Sequence, residues 1–367
     1  MRLGARAAFV DGELVEGDID VSGDVVADVG LTPAGRNGVA LPGLVDVQVN
    51  GFAGVDFASA APDDYEAAGA ALAATGVTAY QPTLITLPED TYVRALTTVA
   101  EAQARFSGPR IIGAHLEGPF LSPSHAGAHD RANMRDPDVE MMDRLLAAGP
   151  VTHVTIAPEL DGALGLIEHL RRREVIVSCG HSDADAATTN AAFDRGATAV
   201  THLFNAQRLF NHRDPGIAGA ALARDSVVVT LIVDGVHLAP EAVQIAAAAA
   251  PGRLALITDA IAAAGMPDGT YALADRQVEV HGGAAKLQDG TLAGSVLTMD
   301  QALRNLIDLG VGMEDAIGAA TAVPARLINR PELGTLRPGT PADVIIVDDD
   351  LAVVLTLRAG EELFAAS

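Results

Sequence analysis

Four residues able to bind a metal or move a proton stand just past the ends of apolar runs: Glu117 after 110–116, His181 after 175–178, His202 after 199–201 and Asp259 after 253–258. Two imidazoles and a carboxylate make an open ligand set for Zn²⁺ or Fe²⁺, because three protein ligands leave a coordination position for water. Asp259 would then take the proton of that water. Taken singly, each residue has a plainer reading. A histidine after a strand is commonly a hydrogen-bonded structural residue, and an acidic residue there serves as a helix N-cap. Four of them at equivalent ends of different strands are poorly explained by independent accidents, provided that those ends converge.

Convergence demands a closed sheet. Apolar, strand-like runs at 44–49, 77–83, 110–116, 151–156, 175–178, 199–201, 227–233 and 253–258 alternate with alanine-rich helical stretches such as 63–74, 89–106, 139–148, 184–193 and 240–249. Continuously apolar strands separated by helices predict a parallel sheet covered on its outside. Eight such units fit an α/β fold of the (β/α)8, TIM-barrel type, whose active sites lie at the C-terminal ends of the strands. An open doubly wound sheet would need a glycine-rich phosphate loop after its first strand, and Gly51-Phe52-Ala53-Gly54 is a poor one. The two chain ends differ from this middle. Residues 1–41 and 334–367 carry short β-type runs with Gly and Asp punctuation, which predicts a small, discontinuous β-sandwich domain beside a catalytic barrel over 42–333.

Composition narrows the partners. A net charge of −24 argues against nucleic acid and anionic membrane surfaces, both of which need basic patches. An anionic small molecule would have to be met by a local basic cluster. No apolar run reaches membrane-spanning length, and the first ten residues lack the pattern of a secretory signal, so the expected compartment is the cytoplasm. Cys179 is the only cysteine, which excludes an internal disulfide and a thiolate-only metal site.

The ordered series His115-Leu116-Glu117-Gly118-Pro119-Phe120, Gly180-His181-Ser182, Thr201-His202-Leu203-Phe204-Asn205-Ala206, Asp234-Gly235-Val236-His237, Thr258-Asp259-Ala260 and Leu292-Ala293-Gly294-Ser295 resembles the N-acetylglucosamine-6-phosphate deacetylase family of the amidohydrolase superfamily. The likeness runs from Pro42-Gly43-Leu44-Val45-Asp46 to Pro338-Gly339-Thr340-Pro341-Ala342-Asp343, nearly the whole chain. It implies hydrolysis of the N-acetyl group of N-acetylglucosamine 6-phosphate, in amino-sugar catabolism and cell-wall recycling. It implies Glu117, His181 and His202 as ligands of one divalent metal per subunit, zinc or iron, with Asp259 as the catalytic carboxylate. His129, after Gly127-Ala128, would help polarise the acetyl carbonyl. Asn205 and Ala206 would touch the sugar phosphate through the backbone. Arg213 and His237 would bind the phosphate, His237 closing the segment Asp234-Gly235-Val236-His237, and Leu292, Ala293 and Gly294 would form a further substrate loop. The family's phosphate site is completed partly from a neighbouring subunit, so a homodimer is expected.

One position departs from the wider superfamily. Where many amidohydrolases carry His-x-His at the end of the first strand, this chain reads Gln48-Val49-Asn50. Amides are weak ligands for zinc or iron, which favours a single tightly held ion. Hydantoinase- and dihydroorotase-type enzymes need a bridging carboxylated lysine, yet Lys286, the only lysine, lies outside the strand set. A deacetylase of another N-acetylated amino-sugar phosphate stays open, because sequence does not specify sugar stereochemistry. A non-catalytic sugar-phosphate sensor would keep Arg213 and His237 but has no use for Asp259 beside a metal site.

Overall fold

Strands that are apolar on both faces must be buried on both. The computed structural model, which describes residues 1–366, meets this with eight parallel strands in sequential order: Leu44–Val49, Val77–Leu84, Ala114–Glu117, Val151–Ile156, Ile176–Cys179, Ala199–Val200, Val228–Leu231 and Leu254–Leu256. Each is followed by a helix on the outside, from Asp64–Ala74 after the first to Met299–Asp308 after the eighth. Local chemistry starts and stops these helices. Asp138 caps Val139–Ala148 by accepting from the backbone N–H of Glu140 and Met141, and Asp185 caps Ala186–Arg195 by accepting from Thr188, with Gly196 in the left-handed conformation at its end.

Closure between the eighth and first strands is made at their C-terminal tips. The Asp259 N–H donates to Gln48 O at 2.9 Å, the Asn50 N–H donates to Ala260 O at 2.7 Å, and Val49 bridges Ala260 in parallel. Lower on the same seam, buried Asp46 accepts from the Thr258 hydroxyl at 2.6 Å. Burial pushes its carboxyl up to about 7, against the pull of the Thr258 hydrogen bond. The ring therefore closes at the level where Asp259 leaves it.

The chain ends meet in one six-stranded sheet, in the order Glu13–Glu16, Ala7–Val10, Val39–Pro42, Val344–Val347, Val353–Arg358, Glu361–Ala365. All its pairings are antiparallel except that between Ala7–Val10 and Val39–Pro42. Strand alternation divides its side chains between two cores. Leu41, Ile345 and Val347 join the core shared with the barrel, whereas Ala40, Val344 and Ile346 face Ile19, Val21 and Val26 of the ribbon Asp18–Ser22 and Val25–Leu31. The β-type runs expected within 334–367 form the strands from Val344, Val353 and Glu361, and Ser367 lies outside the described residues. The sequence reading did not anticipate a three-stranded antiparallel sheet (Gly269–Leu273, Arg276–His281, Ala284–Lys286) inserted between the eighth barrel strand and its helix.

Sheet and barrel are joined by a bidentate ion pair. Arg110 Nε and Nη2 lie 2.9 and 3.1 Å from the two carboxylate oxygens of Asp343, which also accepts from the Ala359 N–H at 2.7 Å. Asp343 is buried, so removing the guanidinium alone would strand a carboxylate in the interior. Arg110→Met should cost about 3–5 kcal/mol in urea unfolding, and adding Asp343→Asn should recover part of that loss. A single-variant loss under ~1 kcal/mol would mean that the pair behaves as a surface one.

Candidate metal and catalytic site

At the C-terminal mouth of the barrel lies a cavity of about 370 Å³, within the range of small-molecule sites. Its floor is built by the residues that leave the strand ends. His181, His202 and Asp259 each hold a positive φ (49°, 29° and 49°), a conformation that costs a non-glycine residue of order 1 kcal/mol or more. The strain turns their side chains inward. Glu117 Oε1 lies 3.2 Å from His181 Nε2 and 2.9 Å from His202 Nε2, and the two nitrogens are 3.1 Å apart.

Tautomers follow from the neighbours. The His125 carbonyl can only accept, so His181 Nδ1–H donates to it at 2.8 Å and the Nε2 lone pair faces the triangle. Two imidazole nitrogens and a carboxylate oxygen crowded together need a cation or proton between them. The spacing also matches ligands about 2.0–2.2 Å from one tetrahedral ion, which stand roughly 3.3 Å apart. Buried His202 Nδ1 has no partner, consistent with a ring placed for what its Nε2 does.

Glu117, His129 and His181 also bring ligand-type atoms within 4.8 Å of one another, but His129 is disqualified by its proton. Its Nδ1 accepts from the Thr86 backbone N–H at 3.1 Å, which puts the proton of the neutral ring on Nε2. Burial first, then the nearby His181, pull its pKa down to about 4, so the ring is neutral. Nε2–H points into the cavity, 3.6 Å from Glu117 Oε2, as a hydrogen-bond donor. Burial pushes Glu117 up, yet the surrounding rings of His129, His181 and His202 outweigh it and hold the carboxyl well below its ordinary range. In His202 the opposing burial is outweighed by Glu117, and its pKa rises.

Gln48 and Asn50, the departures at the first strand, have a use. Gln48 Nε2 donates to Glu117 Oε1 and to Asp259 Oδ1, both at 3.1 Å, and Asn50 Nδ2 donates to the same Asp259 oxygen at 2.7 Å. Carboxylates only accept, so both amides must turn their nitrogens toward them. Burial, then the Glu117 charge, push Asp259 up to about 6; a cation in the triangle would offset the second effect. The loop at 292–294 presses onto this point. A Cβ on Gly294 would meet Asp259 O at 2.8 Å and Ile261 Cγ2 at 2.5 Å, so only glycine fits.

Of the other residues singled out from sequence, Ala128, Asn205, Ala206, His237, Leu292 and Gly294 line the cavity. Asp234 stands behind His237, accepting from its Nδ1–H at 2.7 Å and from the Val236 and His237 backbone N–H groups at 2.8 Å. Burial raises Asp234 but its bonds to His237 outweigh that and lower it. Gly235 and Val236 form the turn between them, and Ala293 is buried beneath its loop; none of the three lines the cavity. Arg213 is not there either. It is exposed on the loop that carries Leu209 and Phe210, which are 85% and 56% exposed. The reading from sequence missed Thr86, Thr291 and Leu273. It gave His125 no role, although its carbonyl orients His181 and its residue lines the wall.

Known proteins share this architecture. The amidohydrolase family pattern matches residues 39–363. The N-acetylgalactosamine-6-phosphate deacetylase of Escherichia coli O157:H7 is 40% identical over 317 residues, 85% of this chain and 84% of that protein. The human N-acetylglucosamine-6-phosphate deacetylase is 39% identical over 358 residues, 93% of this chain and 87% of that one. A solved Mycobacterium smegmatis N-acetyl-D-glucosamine-6-phosphate deacetylase variant, in complex with N-acetyl-D-glucosamine-6-phosphate, superposes with a TM-score of 0.94 at 37% identity, covering 100% of this chain and 99% of that one. With the family pattern and close relatives both spanning most of its length, this chain belongs to the amidohydrolase family and, within it, to the N-acetylglucosamine-6-phosphate deacetylases.

Proposed function

We propose that this protein hydrolyses the N-acetyl group of N-acetylglucosamine 6-phosphate, releasing acetate and glucosamine 6-phosphate, with the barrel over 42–333 as the catalytic unit. The observation that carries the chemistry is Asp259, fixed by two amide donors at the edge of the Glu117–His181–His202 triangle. A divalent ion held by that triangle would supply Lewis-acid polarisation and lower the pKa of water. Asp259 then accepts a proton from the attacking water as the new C–O bond forms. His129 Nε2–H donates to the oxygen on which negative charge develops. Asp259 returns its proton to the nitrogen as the C–N bond breaks, so one carboxyl group serves as base and then as acid. Asp259→Asn keeps the shape and loses the acceptor. Turnover should fall by roughly 10²–10⁴-fold with metal content unchanged, and near-normal turnover would assign the base elsewhere.

The ion is read as single, zinc or iron. Gln48 and Asn50 stand where many amidohydrolases carry two histidines, and amides are weak ligands for zinc or iron, which leaves the first strand without strong donors for a second ion. Dialysed protein should hold about one divalent ion per chain by elemental analysis, and His181→Ala or His202→Ala should empty the site. Two tightly held ions would overturn this.

The phosphate calls for a cation that the cavity's own wall lacks, since no Arg or Lys lines it. Arg213, on its exposed loop with bare Leu209 and Phe210, is read as reaching into the site of a second copy, beside that copy's His237, Asn205 and Ala206 and across from the Leu292–Gly294 loop. Arg213→Ala should lower kcat/KM for the phosphorylated sugar by roughly 10²-fold and leave the slow reaction on unphosphorylated N-acetylglucosamine nearly unchanged. Equal losses on both substrates would make Arg213 a structural residue. Mixing Arg213→Ala chains with Asp259→Asn chains should restore activity, because one class of shared site then has both groups intact. The Escherichia coli relative favours a second reading, the galacto epimer, and acetate release from both 6-phosphates decides between them.

A further inference from the structure

Branched aliphatic side chains usually fill the interior of a (β/α)8 barrel. Beneath the ligand triangle this barrel instead buries Gln81, His115, His153, Thr155, Ser178 and Thr201. Buried polar groups must pair, and these pair with one another across the barrel.

The direction of each bond can be worked out. The His115 ring is buried between the hydroxyls of Thr83 and Thr155. Its Nδ1 faces Thr83 Oγ1 at 3.5 Å, and that hydroxyl spends its own proton on Gln81 O at 3.3 Å. The ring proton therefore sits on Nδ1, and Nε2 accepts from the Thr155 hydroxyl at 2.8 Å. Thr155 Oγ1, having donated, accepts from the Thr201 hydroxyl at 2.7 Å. A directed line thus runs Thr201 to Thr155 to His115, from the sixth strand through the fourth to the third.

His115 is clamped from its other face. The His153 ring stacks on it at 3.9 Å between centroids and 10° between planes, and is itself held between Gln81 Oε1 at 3.2 Å and Ser178 Oγ at 2.6 Å. The ends of the line are next to the site. Thr201 immediately precedes His202, and His115 stands two residues before Glu117 on the same face of its strand. Thr155 is the register partner of Glu117 itself.

We propose that Thr155 is a positioning residue for the deacetylase reaction: by bridging Thr201 and His115 it sets the spacing between His202 and Glu117, and so the shape of the ion's ligand set. This rests on the metal reading above. Partners behind metal ligands typically contribute 10- to 100-fold in affinity or activity. No side chain in the line touches substrate, so the effect should appear in metal affinity and kcat and spare KM.

The test compares Thr155→Val, which keeps the volume and loses both hydrogen bonds, with Thr155→Ser, which keeps the hydroxyl. Metal affinity is read by chelator competition, kcat and KM separately, and the thermal midpoint alongside. Thr155→Val should bind the ion about 10-fold or more weakly and lose kcat by a similar factor with KM within about twofold, and Thr155→Ser should recover both. Wild-type metal affinity and turnover in Thr155→Val would overturn the proposal, as would a serine variant no better than valine, which would mark the site as one of packing. Should Thr155→Val fail to fold, Thr201→Val and Thr201→Ser break and keep the same line at its other end under the same criteria. Wild-type protein that retains no divalent ion would instead overturn the metal reading, and this inference with it.

Discussion

A carboxylate buried at the mouth of the barrel is the constraint around which the site is arranged. Glu117 is 3% exposed, and an isolated charge there would simply take up a proton. It stays ionised because Oε1 is met within 3.2 Å by Gln48, His181 and His202. Those groups are not free to serve Glu117 alone. His181 is already turned by the His125 carbonyl, and Gln48 must also satisfy Asp259. One charge is therefore tied to two imidazoles, to one amide orientation and, through Gln48, to the Asp259 carboxylate.

Such a cluster cannot be held by side-chain preference alone. The backbone takes up strain at His181, His202 and Asp259, and the loop beyond Asp259 approaches so closely that Gly294 has no room for a side chain. The barrel seam makes the strain sustainable. Asp259 N–H and Asn50 N–H close the ring through the same few residues that carry the amides and the Asp259 carboxylate, so site geometry and barrel closure are one set of contacts. Any relaxation of Asp259 toward an ordinary strand conformation would open the ring.

Much of this was legible in the chain. Eight apolar runs broken by helical stretches specify the barrel because only a covered parallel sheet buries both faces of such strands. Short β-type runs punctuated by Gly and Asp at the two ends give the smaller sheet. Glu117, His181, His202 and Asp259 stood out because a polar residue at the end of an apolar run is conspicuous. Periodicity is silent about what depends on side-chain direction. Gln48 and Asn50 read as absent ligands and proved to be the donors that hold two carboxylates. Thr86 carries no chemical signature, yet its backbone decides where the His129 proton sits. The inserted sheet at 269–286 was missed since its strands are short and largely exposed: Gly269–Leu273 buries only Leu273, and Arg276–His281 only Val278 and Val280.

The charge of the chain acquires a sense in this setting. At −24 the molecule repels a sugar phosphate at long range, but in physiological salt that repulsion fades within roughly 8 Å of the surface. Inside the mouth the balance is different. The wall presents imidazoles and carries no lysine or arginine, and its one carboxylate pair is already matched by amides and rings. A dianion entering there meets few fixed negative charges without partners and few fixed positive ones. On the proposed reading, the cation for the phosphate is brought to the mouth to join His237, which is built into it. An exposed arginine on a loop with bare apolar neighbours is the kind of group that can be brought, and on the reading proposed for Arg213 recognition of the anion is tied to assembly of the protein.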